Sequence, residues 1–178
     1  MTNTQPENQP ASRQDLLDFF ASLSINTKTH DHEAVFTVDE SHKIKQDLPG
    51  GHTKNLFLKD KKGNVILVVC INDTEVDLKS FHKKYACGRV SFGNADLLWE
   101  RLGVRPGSVT PFALFNDRNE HKVQLVLDSH LLEWELLNFH PLENTATTAI
   151  ARDDLLAFFK ATGHEPTIVK LEKTEEAV

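Results

Sequence analysis

The feature that most constrains the fold is an uninterrupted apolar run, Val65–Ile71, in a chain of 178 residues. Side chains of a β-strand alternate between its two faces, so a strand without polar alternation must be covered on both faces. The strand-like segment Asn55–Lys59 comes before the run, and Asp60–Asn64 between them contains the Gly and Asn typical of a hairpin turn. We therefore predict a hairpin whose second strand is central in a sheet with layers on both faces.

Amphipathic helices supply the predicted layers. Ser12 is a candidate N-cap for a first helix, Asn94 caps a second that ends at Gly103, and a third over Arg152–Ala161 is closed by Gly163. The segment Leu131–Asn138 is ambiguous, and we interpret it as a helical turn followed by a strand. The other predicted elements are a short helix from Val38 to before Pro49, a helix over Asp77–Tyr85, and strands over Arg89–Phe92, Val123–Asp128, Thr145–Ile150 and Thr167–Leu171; the segment Thr27–Phe36 is polar at first and then strand-like.

Length and composition fit one soluble domain. Apolar residues make up 39% of the chain and charged residues 26%, which suffices for a single core at this length. The polar segments Met1–Ala11 and Glu172–Val178 are predicted to be disordered tails around a domain at residues 12–171. No apolar run approaches the roughly 20 residues that span a bilayer, and the N-terminus lacks a signal-peptide pattern. We predict a cytoplasmic protein without a membrane partner.

Charge is unevenly distributed along the chain. The formal net charge is -6, yet residues 43–105 contain 12 Lys and Arg against 7 Asp and Glu. An acidic protein is poorly suited to bind nucleic acid along its whole surface, and DNA is not expected as a partner. The basic central segment favours a local anionic ligand instead. Solvated faces of a hairpin and a helix would give the same asymmetry; the lysines concerned are Lys59, Lys61, Lys62, Lys79, Lys83 and Lys84.

Cysteines and histidines do not form a recognisable metal or redox motif. Cys70 and Cys87 lack CxxC spacing, so a disulfide framework is not indicated, and no local signal favours a nucleophilic Cys87. His30 and His32 would share a strand face, but no third ligand follows at typical spacing. Phosphate-loop, dinucleotide and α/β-hydrolase motifs are also missing from the sequence. We predict no metal site and no cofactor.

The sequence places a candidate active site in Gly50–Leu58, where two glycines and a polar stretch lead into a strand. Glycine permits backbone conformations closed to other residues and lets a ligand approach the main chain. Beside a pocket, the compact ammonium group of Lys54 can hold a phosphate or polarise a carbonyl or a water. The alternative is a turn into a surface hairpin with an exposed lysine.

A second candidate segment is Arg105–Phe112, in which Pro106 and Pro111 surround a glycine and two hydroxyl residues. Proline fixes φ and lacks a donor, so this composition predicts a rigid loop rather than a helix or a strand. A rigid loop makes a good pocket wall.

Three segments together resemble a known family. They are Gly51-His52-Thr53-Lys54-Asn55-Leu56-Phe57-Leu58, then Gly103-Val104-Arg105-Pro106-Gly107-Ser108-Val109-Thr110-Pro111-Phe112, and then Asn138-Phe139-His140-Pro141 with Asn144-Thr145-Ala146-Thr147-Thr148. In this order they resemble the free-standing editing proteins of the YbaK/prolyl-tRNA synthetase-associated domain family, and within it the ProX branch. The resemblance runs from about Asp15 to Val169.

The resemblance implies a single α/β (α+β) YbaK-like domain, with a mixed, mostly antiparallel sheet flanked by helices. It also implies trans-editing hydrolysis of mischarged aminoacyl-tRNA, with Ala-tRNA(Pro) as the substrate, and prolyl-tRNA synthetase or an elongation factor as a candidate delivery partner. Lys-Asn at 54 and 55, where the cysteinyl-specific branch has Lys-Thr, disfavours cysteinyl-tRNA. Deacylation of Cys- or Ser-tRNA, or a catalytically silent tRNA-end binding or synthetase-associated module, remains the alternative.

By the same resemblance, the catalytic residues are Lys54, Asn55, His140 and Gly107, and no side-chain nucleophile is required. Family precedent implies that a hydroxyl of the terminal ribose assists the water, while backbone amides near the loop at 107–111 hold the carbonyl. Lys54 would bind the tRNA end or support the oxyanion, and Val109, Phe112 and Leu56 are candidate pocket walls. The predicted substrate-binding residues are His52, Thr53, Leu56, Ser108, Val109, Thr110, Pro111 and Phe112.

Overall fold

The computed structural model describes residues 9–34, 43 and 47–171. Its strands form one sheet in the order one, seven, six, two, three, five, eight along the edge-to-edge path, with the fourth strand beside the second. Among the described residues four strand pairs are antiparallel and three are parallel, in agreement with the predicted mixed sheet. The strands are β1 (Thr27–Asp31), β2 (Gly51–Asp60), β3 (Val65–Ile71), β4 (Val90–Phe92), β5 (Val123–Asp128), β6 (Leu136–Phe139), β7 (Ala146–Ala151) and β8 (Thr167–Val169).

Capping residues fix the ends of the helices. Ser12 forms a capping box with Asp15, and the Asn94 side chain accepts a hydrogen bond from the Leu97 amide. Gly103 and Gly163 end their helices in the left-handed conformation, at φ 66° and 82°. The α-helices are α1 (Arg13–Ser22), α2 (Phe81–Lys84), α3 (Ala95–Leu102) and α4 (Arg152–Thr162), and 3₁₀ helices cover Pro111–Asp117 and Ser129–Glu133.

The predicted central strand is confirmed. β3 lies between β2 and β5, and all seven of its residues are buried. One of its faces, with Leu67 and Val69, packs on the large core that also includes residues of α1, α3, α4 and the first 3₁₀ helix. The other face, with Ile66 and Val68, packs on a smaller core that includes Phe81 of α2. The apolar run therefore divides the molecule into two packed layers.

Several predicted elements differ in length or lie beyond what is described. Of the segment Thr27–Phe36, the polar first part is the strand β1, which ends at Asp31, and β2 begins at Gly51, before the predicted Asn55. The helix predicted over Asp77–Tyr85 is reduced to α2, because the Asp77 carboxylate accepts hydrogen bonds from the Lys79 amide (3.1 Å) and the Ser80 hydroxyl (3.0 Å) and so forms a turn. The predicted last strand ends at Val169, two residues early. The predicted helix from Val38 lies almost entirely outside the described residues.

No helix in the described ranges is both long enough and apolar enough to cross a membrane.

Candidate functional site

The site is built around an interruption in the pairing of β2. On one edge β2 pairs with β3 over most of its length. On the other edge β6 pairs with Gly51 and His52, and β4 pairs with Leu58–Asp60. The residues between them, Thr53–Phe57, have no strand partner on this edge among the described residues, and we call this stretch the β2 gap.

The main-chain groups of Asn55 point into the β2 gap. The Gly93 amide, just after β4, donates to the Phe57 carbonyl (3.0 Å), whereas the His52 carbonyl accepts from Asn72 on the β3 side (2.8 Å). Main-chain groups alternate in direction along a strand, so residues two apart share an edge. The N–H and C=O of Asn55 therefore face the same edge as those of Phe57.

A cavity of about 230 Å³ lies against the β2 gap. The Asn55 side-chain oxygen is buried and has no hydrogen-bond partner. Because a buried acceptor without a partner is costly, this oxygen marks a position where a ligand can donate. The cavity is lined by Asn55, Phe57, Phe92, Gly93, Asn94, Ala95, Leu98, Pro106, Gly107 and Val109.

Lys54 and Asn55 lie on opposite faces of β2. Lys54 is paired with Cys70, which belongs to the smaller core, and Asn55 is paired with Val69, which belongs to the larger one. Burial raises the pKa of the Cys70 thiol to about 12; the nearby Lys54 ammonium acts to lower it and Asp128 acts to raise it. The Lys54 charge therefore acts on the side of the sheet away from the cavity, and the side chains of Lys54 and Asn55 do not share one face.

The predicted rigid loop covers the β2 gap. Gly107 is exposed, at φ 90°, and a Cβ placed there would lie 3.7 Å from the side-chain nitrogen of Asn144, in the turn after β6. Ser108 and Thr110 are buried; the Ser108 amide donates to the Arg105 carbonyl (3.0 Å) and the Thr110 hydroxyl accepts from the Phe112 amide (3.3 Å). The loop thus places Gly107 between the cavity and the end of β6.

The aromatic wall predicted at Phe112 is not part of this cavity. Val109 lines it, but the Phe112 ring is fully buried and packs edge-on against Phe20 (5.1 Å between centroids), Phe139 (5.3 Å) and Phe158 (5.7 Å). Pro111 is likewise buried, at the start of a 3₁₀ helix, and Leu56 packs on the smaller core. A proline before Phe112 begins a helical turn that carries the ring inward.

The two glycines at the start of β2 accommodate the protein itself. A Cβ at Gly50, where φ is 98°, would lie 2.9 Å from the Leu136 carbonyl oxygen, and one at Gly51 would lie 2.9 Å from the Trp134 ring. Both distances are too short for a side chain. The glycines therefore let β6 and Trp134 approach β2, whereas the sequence suggested that they admit a ligand.

Asn138 fastens β6 to the start of β2, although it was not among the predicted site residues. It is only 4% exposed, and its side-chain nitrogen donates to the Pro49 (2.9 Å) and Gly51 (3.3 Å) carbonyls. Its own carbonyl accepts from the Thr53 hydroxyl (2.7 Å). This network fixes where His140 emerges two residues later. The Asn-Phe-His-Pro motif contained the signal. Its asparagine lies two residues before the histidine, the spacing that puts two side chains on the same face of a strand, and so suits a positioning role.

His140 is oriented by β7. Its Nδ1 lies 3.0 Å from the Ala146 carbonyl, and because a carbonyl only accepts, Nδ1 must be the donor. In the neutral ring Nε2 is then the acceptor nitrogen. The His32 ring lies 6.4 Å from it and is held by the Glu33 carbonyl and the Thr147 hydroxyl, both at 2.8 Å. His52 is similarly held by the Leu48 carbonyl (3.0 Å).

Exposed aromatic groups near the cavity were not predicted as site residues. Phe92 is 59% exposed and lines the cavity at the end of β4. The Arg105 guanidinium stacks on the Trp99 ring at 3.8 Å. Such groups can stack on nucleic-acid bases. Within the described ranges, no three His, Cys, Asp or Glu side chains gather as metal ligands would.

Comparisons with known proteins show the family of the chain. The family model for the aminoacyl-tRNA editing domain matches residues 32–158. The chain is 41% identical to the prolyl-tRNA synthetase associated domain-containing protein 1 of Xenopus laevis, over 88% of this chain and 95% of that protein. It is 34% identical to the prolyl-tRNA editing protein ProX of Acetoanaerobium sticklandii, over 84% and 91%.

A solved structure supports the fold independently. A protein described as a candidate trans-editing enzyme for prolyl tRNA synthetase superposes with a TM-score of 0.66 at 18% identity, covering 90% of this chain and 98% of that one. At this identity the likeness concerns the fold alone. The family resemblance seen in the three sequence motifs is confirmed, and the chain belongs to the aminoacyl-tRNA editing domain family.

Proposed function

We propose that the chain is a trans-editing deacylase that hydrolyses the ester of mischarged Ala-tRNA(Pro). The observation that carries the proposal is the cavity against the β2 gap, where Asn55 meets Gly107 and Val109. Its volume of about 230 Å³ is below the roughly 300–1,000 Å³ of pockets for drug-sized ligands. It suits the aminoacyl group alone, with the terminal nucleotide of the tRNA outside it.

Hydrolysis of this ester makes modest demands on the protein. Water adds to the ester carbonyl, the tetrahedral oxyanion forms, and the ribose oxygen leaves with a proton to give free amino acid and tRNA. The ester is already activated, so the protein needs to place the water and stabilise the oxyanion. Gly107 is an exposed residue in the cavity lining, so its main-chain amide is a candidate to hold the oxyanion, and a ribose hydroxyl is suited to assist the water.

The positions of Lys54 and His140 favour roles at the tRNA end. Because Lys54 leaves β2 on the face opposite the cavity, contact with the phosphate of the terminal nucleotide suits it better than contact with the oxyanion. His140, at the end of β6, has its acceptor nitrogen fixed by the bond to Ala146. It can accept a proton from the ribose hydroxyl or from water in that orientation.

Selection among small acyl groups is proposed to rest on the cavity wall. An apolar pocket separates groups that differ by a methylene by about 1–3 kcal/mol, so an editing site gains most by excluding the larger correct amino acid. Val109 and Leu98 supply apolar walls at the cavity. We propose that they admit alanine and exclude proline, with Cys- and Ser-tRNA as the alternative substrates.

A second function has one observation in its favour. The vertebrate relatives are named only for a domain associated with prolyl-tRNA synthetase, as in Xenopus laevis. A module that binds the tRNA end or a synthetase without hydrolysis would carry the same fold.

Single-turnover deacylation separates the two functions. We expect rapid cleavage of Ala-tRNA(Pro), slow cleavage of Cys- and Ser-charged tRNA, and preservation of Pro-tRNA(Pro). Binding of all four charged tRNAs without cleavage would favour the silent module, and equal cleavage of alanyl and prolyl esters would reject selection by size.

A further inference from the structure

A single buried acceptor stands out at the cavity. Within the described ranges three buried side-chain atoms have no hydrogen-bond partner: Asn55 Oδ1, His82 Nδ1 and Arg101 Nε. Of the three residues, only Asn55 lines the cavity described here. A buried carbonyl oxygen left without a donor is rare in native proteins and calls for an explanation. A ligand that donates a hydrogen bond supplies one.

The rest of the cavity restricts what that ligand group can be. Its other walls are mostly apolar, with Phe57, Leu98 and Val109 among them, and no lysine or arginine lines it. The one other polar side chain in the lining is Asn94, whose oxygen is already occupied as the N-cap acceptor of α3. An apolar ligand group would leave the Asn55 oxygen unsatisfied, and an anion would be repelled by it. The geometry calls for a donor, and a cationic one forms the stronger hydrogen bond.

The main chain of Asn55 adds to this complementarity. Its C=O and its N–H both face the β2 gap, on the edge shared with Phe57. One residue thus presents a side-chain acceptor, a main-chain acceptor and a main-chain donor. An α-amino ester presents the counterparts, since its ammonium nitrogen has three donors and lies two bonds from the carbonyl carbon, whose oxygen is an acceptor.

We propose that Asn55 recognises the α-ammonium group of the aminoacyl ester through its side-chain oxygen, so that the site selects α-amino esters over esters that lack the amine. This inference rests on the proposed function and assigns a specificity to one residue of its site. In this role Asn55 stabilises the bound substrate and positions its carbonyl, while the chemistry of water addition falls to other groups.

The test compares two esters of the same tRNA, the alanyl ester and the propionyl ester. The propionyl group has the same length as the alanyl group and lacks the ammonium. The ratio of the two single-turnover rates is measured for the parent and for Asn55→Leu, which keeps the size and removes the acceptor. Because both proteins receive the same two esters, the difference in intrinsic reactivity between the esters cancels when the two ratios are compared. We expect the alanyl-to-propionyl ratio to fall roughly tenfold to a hundredfold in Asn55→Leu, the value of a hydrogen bond to a charged group.

Matched variants control for folding and charge. Asn119→Leu changes an exposed asparagine outside the cavity and should keep the parent ratio. Asn55→Asp retains an acceptor and should keep or raise the preference for alanyl. Asn55→Leu should melt no lower than the parent, because it removes an unsatisfied buried acceptor. Equal losses for alanyl and propionyl esters in Asn55→Leu would overturn the inference, since the oxygen would then serve the ribose or the water.

Binding distinguishes this inference from the function on which it rests. Stable amides, 3′-alanylamino- and 3′-propionylamino-3′-deoxyadenosine, are titrated into the parent and Asn55→Leu by NMR. A preference for the alanyl amide that disappears in Asn55→Leu supports the inference even if no charged tRNA is cleaved, in which case the deacylase function alone fails. Deacylation of Ala-tRNA(Pro) without any difference between the two amides overturns the inference and leaves the function standing.

Discussion

Two polar side chains of β2, Asn55 and Asp60, have opposite environments. The Asp60 carboxylate is 8% exposed and accepts four hydrogen bonds, from the Lys62, Asn64 and Gly88 amides and the Asn64 side chain, at 2.8–2.9 Å. The Asn55 side-chain oxygen, five residues earlier, accepts none. One strand therefore carries a satisfied polar group at its hairpin end and an unsatisfied one at the β2 gap.

The difference separates structure from function within one element. Asp60 closes the hairpin and ties it to the segment before β4, so its hydrogen bonds belong to the fold. Asn55 contributes nothing comparable to folding, and leaving its oxygen bare costs stability. Strain or unsatisfied groups that a fold tolerates are concentrated at functional sites. The comparison implies that substitutions at the gap change activity, whereas substitutions at the hairpin change stability.

The largest expected effect is at Lys54. Lys54→Ala should leave folding intact and lower the second-order rate of alanyl-tRNA deacylation roughly tenfold to a hundred-and-fiftyfold, the loss of about 1.5–3 kcal/mol from one charge-assisted contact with the terminal phosphate. Lys54→Arg should restore most of this rate, because a guanidinium also binds phosphate. Lys160→Ala, on the exposed side of α4, is the matched control. Near-parent rates for Lys54→Ala would make Lys54 a solvated surface lysine.

A smaller effect concerns the cavity wall. Val109→Ala should raise cleavage of Pro-tRNA(Pro) about tenfold to a hundredfold, since shrinking an apolar wall admits a larger acyl group. Phe112→Leu should lower stability and keep selectivity, because the ring packs in the core. Rates on alanyl and prolyl esters give both ratios. An unchanged ratio in Val109→Ala would remove that wall from the site.

At the hairpin end the expected effect is on stability and depends on pH. Burial acts to raise the pKa of Asp60, but the hydrogen bonds to its carboxylate prevail and lower it to about 2. The stabilisation is therefore complete above the unfolded pKa of about 3.9 and is lost as pH falls towards 2. Asp60→Asn should lower the free energy of unfolding by about 1–3 kcal/mol at pH 6 and by less near pH 2.

Urea unfolding of the parent and of Asp60→Asn, at pH 6 and near pH 2, measures this change in unfolding free energy. The difference in unfolding free energy between the parent and Asp60→Asn isolates the contribution of Asp60 from that of Asp117. Burial acts to raise the pKa of Asp117, but its hydrogen bonds, above all the one from His164, lower it overall. A difference that grows as the pH falls would contradict the assignment.

Chelators and thiol reagents are expected to have no effect on the deacylation rate. Burial raises the pKa of Cys87, as does the nearby Asp60 carboxylate, and Cys70 is buried, so neither thiol is activated as a nucleophile. EDTA and iodoacetamide should leave the deacylation rate unchanged. Loss of activity in EDTA that zinc restores and magnesium does not would show a metal site.

The sequence predicted much of the fold because its signals were local. The apolar run of β3, the caps at Ser12 and Asn94 and the glycines that end two helices each specify their own element. Asp77 was misjudged, since a side chain that caps a turn competes with helix formation.

The site could be predicted only in part, because its geometry depends on pairing between distant strands. Motif residues identified Asn55, Gly107 and Val109, which line one cavity. The opposite faces taken by Lys54 and Asn55 follow from strand alternation, but the missing partner of the β2 gap depends on where β4 and β6 stop. Phe112 was assigned to the wall because it follows the loop, and only the long-range aromatic packing shows that it belongs to the core.

The most direct test measures rate and stability together in Asn55→Leu and Asp60→Asn. We expect Asn55→Leu to lose roughly tenfold to a hundredfold in alanyl-tRNA deacylation without a lower free energy of unfolding. Asp60→Asn should lose about 1–3 kcal/mol of unfolding free energy while the folded protein keeps the parent rate. The opposite result, a destabilised Asn55→Leu with the parent rate, would contradict the assignment of the β2 gap as the functional site.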